Sequence, residues 1–151
     1  VNADENLSGS GVSMLSEGHV LVVTILGVLT ADRLAKIRAE ATRRINEVRA
    51  SACLVDLRGC VIEFAPALLA DGFLHHHAGH LEDRPGALLV AQRHRCTFLA
   101  AARDAAASGV LIPVFTDRES ACRFLEVHSR LWWIDRRYPG LPRCLPQEGI
   151  S

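Results

Sequence analysis

Lysine is almost missing from this chain. Of 17 basic residues, Lys36 alone is lysine and the other 16 are arginine. Coding bias accounts for such a skew without reference to function. Arginine also grips flat anions through paired hydrogen bonds better than lysine does, and composition leaves both explanations open. A surplus of charge is missing too, because 17 acidic residues balance the 17 basic ones. No global field would draw in a polyanion, so nucleic acid is not an expected partner. Long apolar runs are absent: "VLVVTILGVL" at 20–29 is the longest, far short of the roughly 20 residues a helix needs to cross a bilayer. No membrane span is expected. Paired cysteine motifs are also lacking. Cys53, Cys60, Cys96, Cys122 and Cys144 form an odd set without a C-x-x-C. With no signal peptide in the sequence, reduced thiols in the cytoplasm are expected rather than a disulfide framework.

What is present suffices for a core. The chain has 151 residues, 49% of them hydrophobic and 23% charged, which predicts one domain with disorder confined to its ends. "VNADENLSGS" at the start is polar and reads as a flexible arm over 1–11. "GVSMLSEG" and "HVLVVTILG" read as two strands joined by a tight turn at Glu17-Gly18. The second is apolar at nearly every position, so both of its faces should be covered. Thr30 is placed to cap a helix over about 31–49, where Leu34, Ile37, Ala41, Ile45 and Val48 recur at helical spacing.

"ACLVDLRG" at 52–59 is the next expected strand, with a helix beginning near Pro66. "GALLVA" at 86–91 is a short buried strand, and "RCTFLAAARDAAASG" at 95–109 an alanine-rich helix. "VLIPVFT" at 110–116 carries Pro113, which cannot donate a ladder hydrogen bond and so belongs at a sheet edge. In "TDRES", Thr116 and Glu119 form a capping box for a last helix. After Arg137 the chain becomes proline-rich, and 131–151 reads as a C-terminal extension packing on the domain or on a partner subunit. The order β-β-α-β-α-β-α-β-α predicts an α/β fold: a mixed, largely parallel sheet of about five strands with about four helices.

Taken together, "VLVVTILGVLTADRLAKIRAEATRRI", "ACLVDLRG", "GALLVAQRHRCTFLAAA" and "VFTDRESACRFLEV" resemble the SpoIIAA-like, or STAS-type, domains of bacteria over about residues 12–127, within a domain bounded at 12–130. Order and spacing carry the resemblance, since each motif alone is weak. It implies a regulatory, protein-interaction module without enzymatic activity. The best-known members of that family antagonise anti-sigma factors, and a serine just after the third strand is phosphorylated to switch partner binding. Here "DLRGCVIEFAP" occupies that region, and no serine or threonine occurs between Ala52 and Cys96. The resemblance therefore implies the module without the hydroxyl on which a phosphate would sit. Fold kinship with Sec14-type lipid-binding proteins keeps a small-molecule or lipid carrier as the alternative.

In such sheets, ligands bind beyond the carboxyl ends of parallel strands. That places Asp56, Arg58 and Cys60, then Arg93, His94 and Arg95, on one expected rim for a small anion or a protein partner. The simpler reading is that these are solvated loop charges. Cys60 with His94 is a poor nucleophile–base pair, having no third group, and Cys60 reads better as a small buried hydrophobe. His76 and His80 in "HHHAGH" stand one helical turn apart, but zinc asks for a further protein ligand that no motif supplies. No metal or cofactor is expected. No catalytic triad, phosphate loop or carboxylate pair stands at a convincing spacing, so no enzyme is expected either. Trp132 and Trp133 are adjacent on the last helix and point about 100° apart. One of them is expected at an interface, which predicts a homodimer built at that end.

Overall fold

In a computed structural model of the chain, the structure describes residues 11–65, 84–107 and 113–137, the last six by backbone alone. The helix expected from Pro66, His76 and His80, and the chain beyond Arg137 lie outside the described residues.

Five strands form one sheet in sequence order: β1 (Val12–Glu17), β2 (Val20–Leu29), β3 (Ala52–Ile62), β4 (Gly86–Leu89) and β5 (Val114–Phe115). β1 runs antiparallel to β2, and all other neighbours are parallel. Three α-helices are described: α1 (Ala31–Val48), α2 (Arg95–Ala107) and α3 (Arg118–Arg137). A 3-10 turn at Gln92–His94 precedes α2. α3 continues unbroken past residue 130. The mixed sheet agrees with the sequence reading; the fourth expected helix is the one that falls in 66–83.

The β1–β2 hairpin closes one residue later than expected. Glu17 pairs with Val20, so Gly18 and His19 make the turn. Gly18 takes a φ of 64°, a left-handed conformation that glycine adopts without a steric penalty. α1 begins as expected: the Thr30 hydroxyl accepts the Arg33 N–H at 3.2 Å, satisfying a donor the first helical turn leaves unpaired. Its stripe of Leu34, Ile37, Ala41 and Ile45 is fully buried.

α1 and α2 share one face of the sheet. Leu34, Ile37, Ala41 and Ile45 of α1, and Phe98 and Ala105 of α2, pack with Leu21, Val23, Ile25, Val55 and Leu57. α3 lies on the opposite face, where Ala121 and Leu125 meet Val22, Ala52, Leu54, Ala87 and Leu89. β5 is the edge strand on α3's side of the chain order, and Pro113 just before it supplies only its carbonyl, accepting the Leu88 N–H at 2.9 Å.

Two expectations are corrected here. β3 does not stop at Gly59 but runs to Ile62, passing a bulge at which Thr24 pairs with Asp56 and Leu26 with Gly59. Three residues of β3 therefore advance for every two of β2 at that point, which is what a bulge does to a ladder. The second correction concerns β2, expected to be covered on both faces. Leu21, Val22 and Val23 are buried, but Leu26 and Val28 are roughly half-exposed. Only the first half of β2 lies between two layers.

Candidate functional site

The bulge decides where the polar residues of β3 point. Up to Asp56, alternation sends Ala52, Leu54 and Asp56 to the α3 face and Cys53, Val55 and Leu57 to the α1–α2 face. At Asp56 the strand also loses its neighbour, because pairing with β4 ends at Asp56–Leu89. Beyond it, β2 is the only strand that pairs with β3 among the described residues, as far as Ile62. Asp56 thus sits at a fork between β3 and β4, next to where β5 hands over to α3.

Arg58, within the bulge, returns onto Asp56. Its Nε donates to Oδ1 at 3.0 Å and its Nη2 to Oδ2 at 2.9 Å, while its backbone N–H donates to Oδ1 at 3.0 Å. Such a forked pair is the strongest geometry arginine offers a carboxylate. Burial pushes the Asp56 carboxyl up, but the Arg58 hydrogen bonds and charge outweigh burial and hold it below its ordinary value. The charge of Arg118 works in the same direction. The carboxylate is nearly enclosed, while 43% of the Arg58 side chain remains open to solvent. The pair presents a cation outward on an anchored base.

Asp117 lies at the α3 end of the same region. It caps α3, accepting both the N–H and the hydroxyl of Ser120 at 2.8 and 2.7 Å. These bonds hold its carboxyl below the ordinary value. The capping residue expected from sequence was Thr116; the cap falls one position later because α3 begins at Arg118. Arg118 in turn pairs with Glu17 of β1.

The expected rim is therefore split. Asp56 and Arg58 are joined directly. Cys60 faces the core, its thiol 3.1 Å from the Ile25 carbonyl, and burial pushes its pKa up to about 11. A thiol in that range is protonated at neutral pH and is a weak nucleophile. Arg93 reaches β3 from the 3-10 turn, its Nη2 3.5 Å from the Cys60 carbonyl. That contact bridges the free edge of β3 where β4 has ended. His94 packs edge-on against Phe98, ring centroids 6.4 Å apart, and Arg95 is exposed at the first position of α2. The backbone of α3 includes Trp132 and Trp133, whose side chains lie outside the described residues.

Sequence reasoning missed the apolar half of this site. Leu26 and Val28 of β2 and Val61 of β3 point by alternation to the α3 face, beyond the strands that α3 covers. Val28 and Val61 are direct cross-strand partners, and Leu26 lies over Gly59, where an added Cβ would come within 2.5 Å of its Cδ2. Val61 is 54% exposed and Leu26 53%. Together they form an apolar shelf beside the Asp56–Arg58 pair. The nearly continuous hydrophobicity of 20–29 held the signal but read as full burial.

No family model and no curated protein matches the chain. Solved structures do. The fold is similar to that of the anti-sigma factor antagonist SpoIIAA in its unphosphorylated form, with a TM-score of 0.54 and 14% identity over 75% of this chain and 95% of that one. An anti-sigma factor antagonist from Mycobacterium paratuberculosis matches with a TM-score of 0.51 and 11% identity, over 76% of this chain and 92% of that one. The chain has the SpoIIAA-like fold.

Proposed function

We propose, taking the SpoIIAA-like fold as premise, that this chain is a non-enzymatic regulatory module that docks a protein partner on the shelf of Leu26, Val28 and Val61. The observation that carries the reading is the adjacency of that shelf to the anchored cation of Arg58. Apolar contact area with a fixed arginine at its border is the composition of a protein interface. Arg93 and Arg95 add positive charge along the same end of the sheet. The partner that fits offers an apolar side chain for the shelf and a carboxylate for Arg58. The two solved structures compared above are described as anti-sigma factor antagonists, so a protein of the anti-sigma factor kind is the first partner to test.

Control of docking differs from a hydroxyl switch. β3 ends at Ile62, so the residues just beyond it are Glu63, Phe64, Ala65 and Pro66 rather than the turn at Asp56–Gly59. Neither stretch contains a serine or threonine. Partner concentration, rather than phosphate on this loop, sets occupancy. The four described cysteines are free, which suits work in a reducing cytoplasm.

The test is a titration of a co-purifying partner against the intact chain and two variants. Val61→Asp should weaken binding at least about 30-fold and leave stability within about 0.5 kcal/mol, because Val61 is exposed. Arg58→Ala should weaken it as well. Binding indifferent to both substitutions overturns the reading. A lipid found by mass spectrometry in the purified protein favours the carrier function instead.

A further inference from the structure

The two edges of the sheet are built differently. β5 is two residues long and follows a proline, both of which discourage another strand from adding on. β1 is six residues long, pairs with β2 in unbroken register and contains no proline, lysine or arginine. Its one charged residue, Glu17, is already engaged by Arg118. Leu15, at its centre, is 62% exposed.

The phase of the β1–β2 ladder tells which backbone groups face outward. The Leu26 N–H donates to the Gly11 carbonyl at 2.9 Å, one step beyond the Val12–Ile25 pair that begins the ladder. Alternation then turns Ser13, Leu15 and Glu17 toward β2 and leaves the N–H and C=O groups of Val12, Met14 and Ser16 pointing away from the sheet. An extended strand laid along this edge would find three residues' worth of donors and acceptors in place.

We propose that the strand laid there is β1 of a second copy, antiparallel, about a two-fold axis through Leu15 perpendicular to the sheet. This joins two five-stranded sheets into one. The perpendicular axis keeps the α1–α2 face continuous across the junction, which restricts pairing to registers in which residues of one face meet. Of these, the register centred on Leu15 sets Leu15 against its own copy, Met14 against Ser16 and Ser13 against Glu17. The two leucines fall at a non-hydrogen-bonded pair, where opposed side chains approach most closely. Met14 and Ser16 fall at hydrogen-bonded pairs, matching the outward groups. A serine hydroxyl meets the Glu17 carboxylate, and no like charges face each other. The register centred on Met14 would instead set Leu15 against Ser13 and leave the leucine without an apolar partner. The strand is complementary to itself, which singles out a second copy over an unrelated peptide. This surface is separate from the Leu26–Val28–Val61 shelf, so dimerisation and partner docking are lost by different substitutions.

The experiment is light scattering and sedimentation of the full chain across a concentration series. The expected species has twice the 16.5 kDa chain mass. Leu15→Lys, which places two ammonium groups at the axis, should weaken the dimer at least about 30-fold with an unchanged thermal transition, since Leu15 is exposed. In a background lacking Cys96, Cys122 and Cys144, Leu15→Cys should form an interchain disulfide on mild oxidation, and Ser13→Cys should not. Three outcomes overturn the proposal: a monomer at every concentration; a dimer indifferent to Leu15→Lys, whose interface would lie elsewhere, as at the Trp132–Trp133 end; or a monomer that accepts an unrelated extended peptide along β1.

Discussion

The two faces of the sheet differ in how completely they are covered. On one, α1 and α2 seal β1 to β4 into a continuous core in which Ile25, Leu29, Ile37 and Ile45 are almost wholly buried. On the other, α3 covers β3, β4 and the start of β2, and beyond it Leu26, Val28 and Val61 at the outer ends of β2 and β3 are half-exposed. The first face holds the fold together. The second divides between packing and display, and the division falls at the bulge after Asp56, where β3 parts from β4. Apolar residues are abundant on both faces, so hydrophobicity alone does not distinguish a buried core from an exposed shelf. The extent of the covering helix does.

Substitutions can break this contrast in a graded way. The largest effect is expected from Ile37→Ala, which opens a cavity beneath α1. It should cost about 2–5 kcal/mol in denaturant unfolding, against nearly nothing for the Val61 substitution described above. Equal effects at the two sites would erase the distinction between faces.

An intermediate effect is expected from Asp56→Asn, about 1 kcal/mol near neutral pH, because the partner Arg58 is partly solvated. The folded carboxyl lies below its ordinary value. Its contribution is therefore present above the unfolded value of about 3.9 and is lost as the pH falls through the folded one. Unfolding followed between neutral and strongly acid pH should show the wild type and Asp56→Asn converging only at the acid end. The smallest effect is expected from Gly59→Ala, below about 1 kcal/mol. The obstructing atom is the tip of the exposed Leu26 side chain, which has room to turn aside. In a Leu26→Ala background even that cost should vanish, and a cost that persists would show Leu26 to be more firmly seated than its exposure implies.

Much of this architecture was legible in the residues. The periodicity of 31–48 and Thr30 ahead of it announced α1, and Pro113 announced an edge. The end of β3 was not legible. Arg58-Gly59 has the look of a turn, and a bulge uses the same residue types to continue a strand as a turn uses to end one. What separates the two is the cross-strand partner, a non-local fact carried by Leu26, 33 positions earlier. The cap of α3 falls one residue later for a local reason: Thr116 and Asp117 both offer an oxygen, and with the helix starting at Arg118 it is Asp117 that stands three residues before Ser120. Asp56 and Arg58 were named for the rim from their place at a strand end. Their mutual bond was not foreseen, because the bulge that folds one back onto the other is invisible to a period-two pattern.

The reach of β3 past its neighbour has a consequence for amide exchange. From Cys53 to Asp56 the strand is paired on both sides, whereas from Gly59 to Ile62 β2 is its only strand partner among the described residues. Cys60 and Ile62 anchor the outer segment to the core beneath it, but with one ladder fewer its protons should trade with deuterium through local openings cheaper than those of the segment from Cys53 to Asp56.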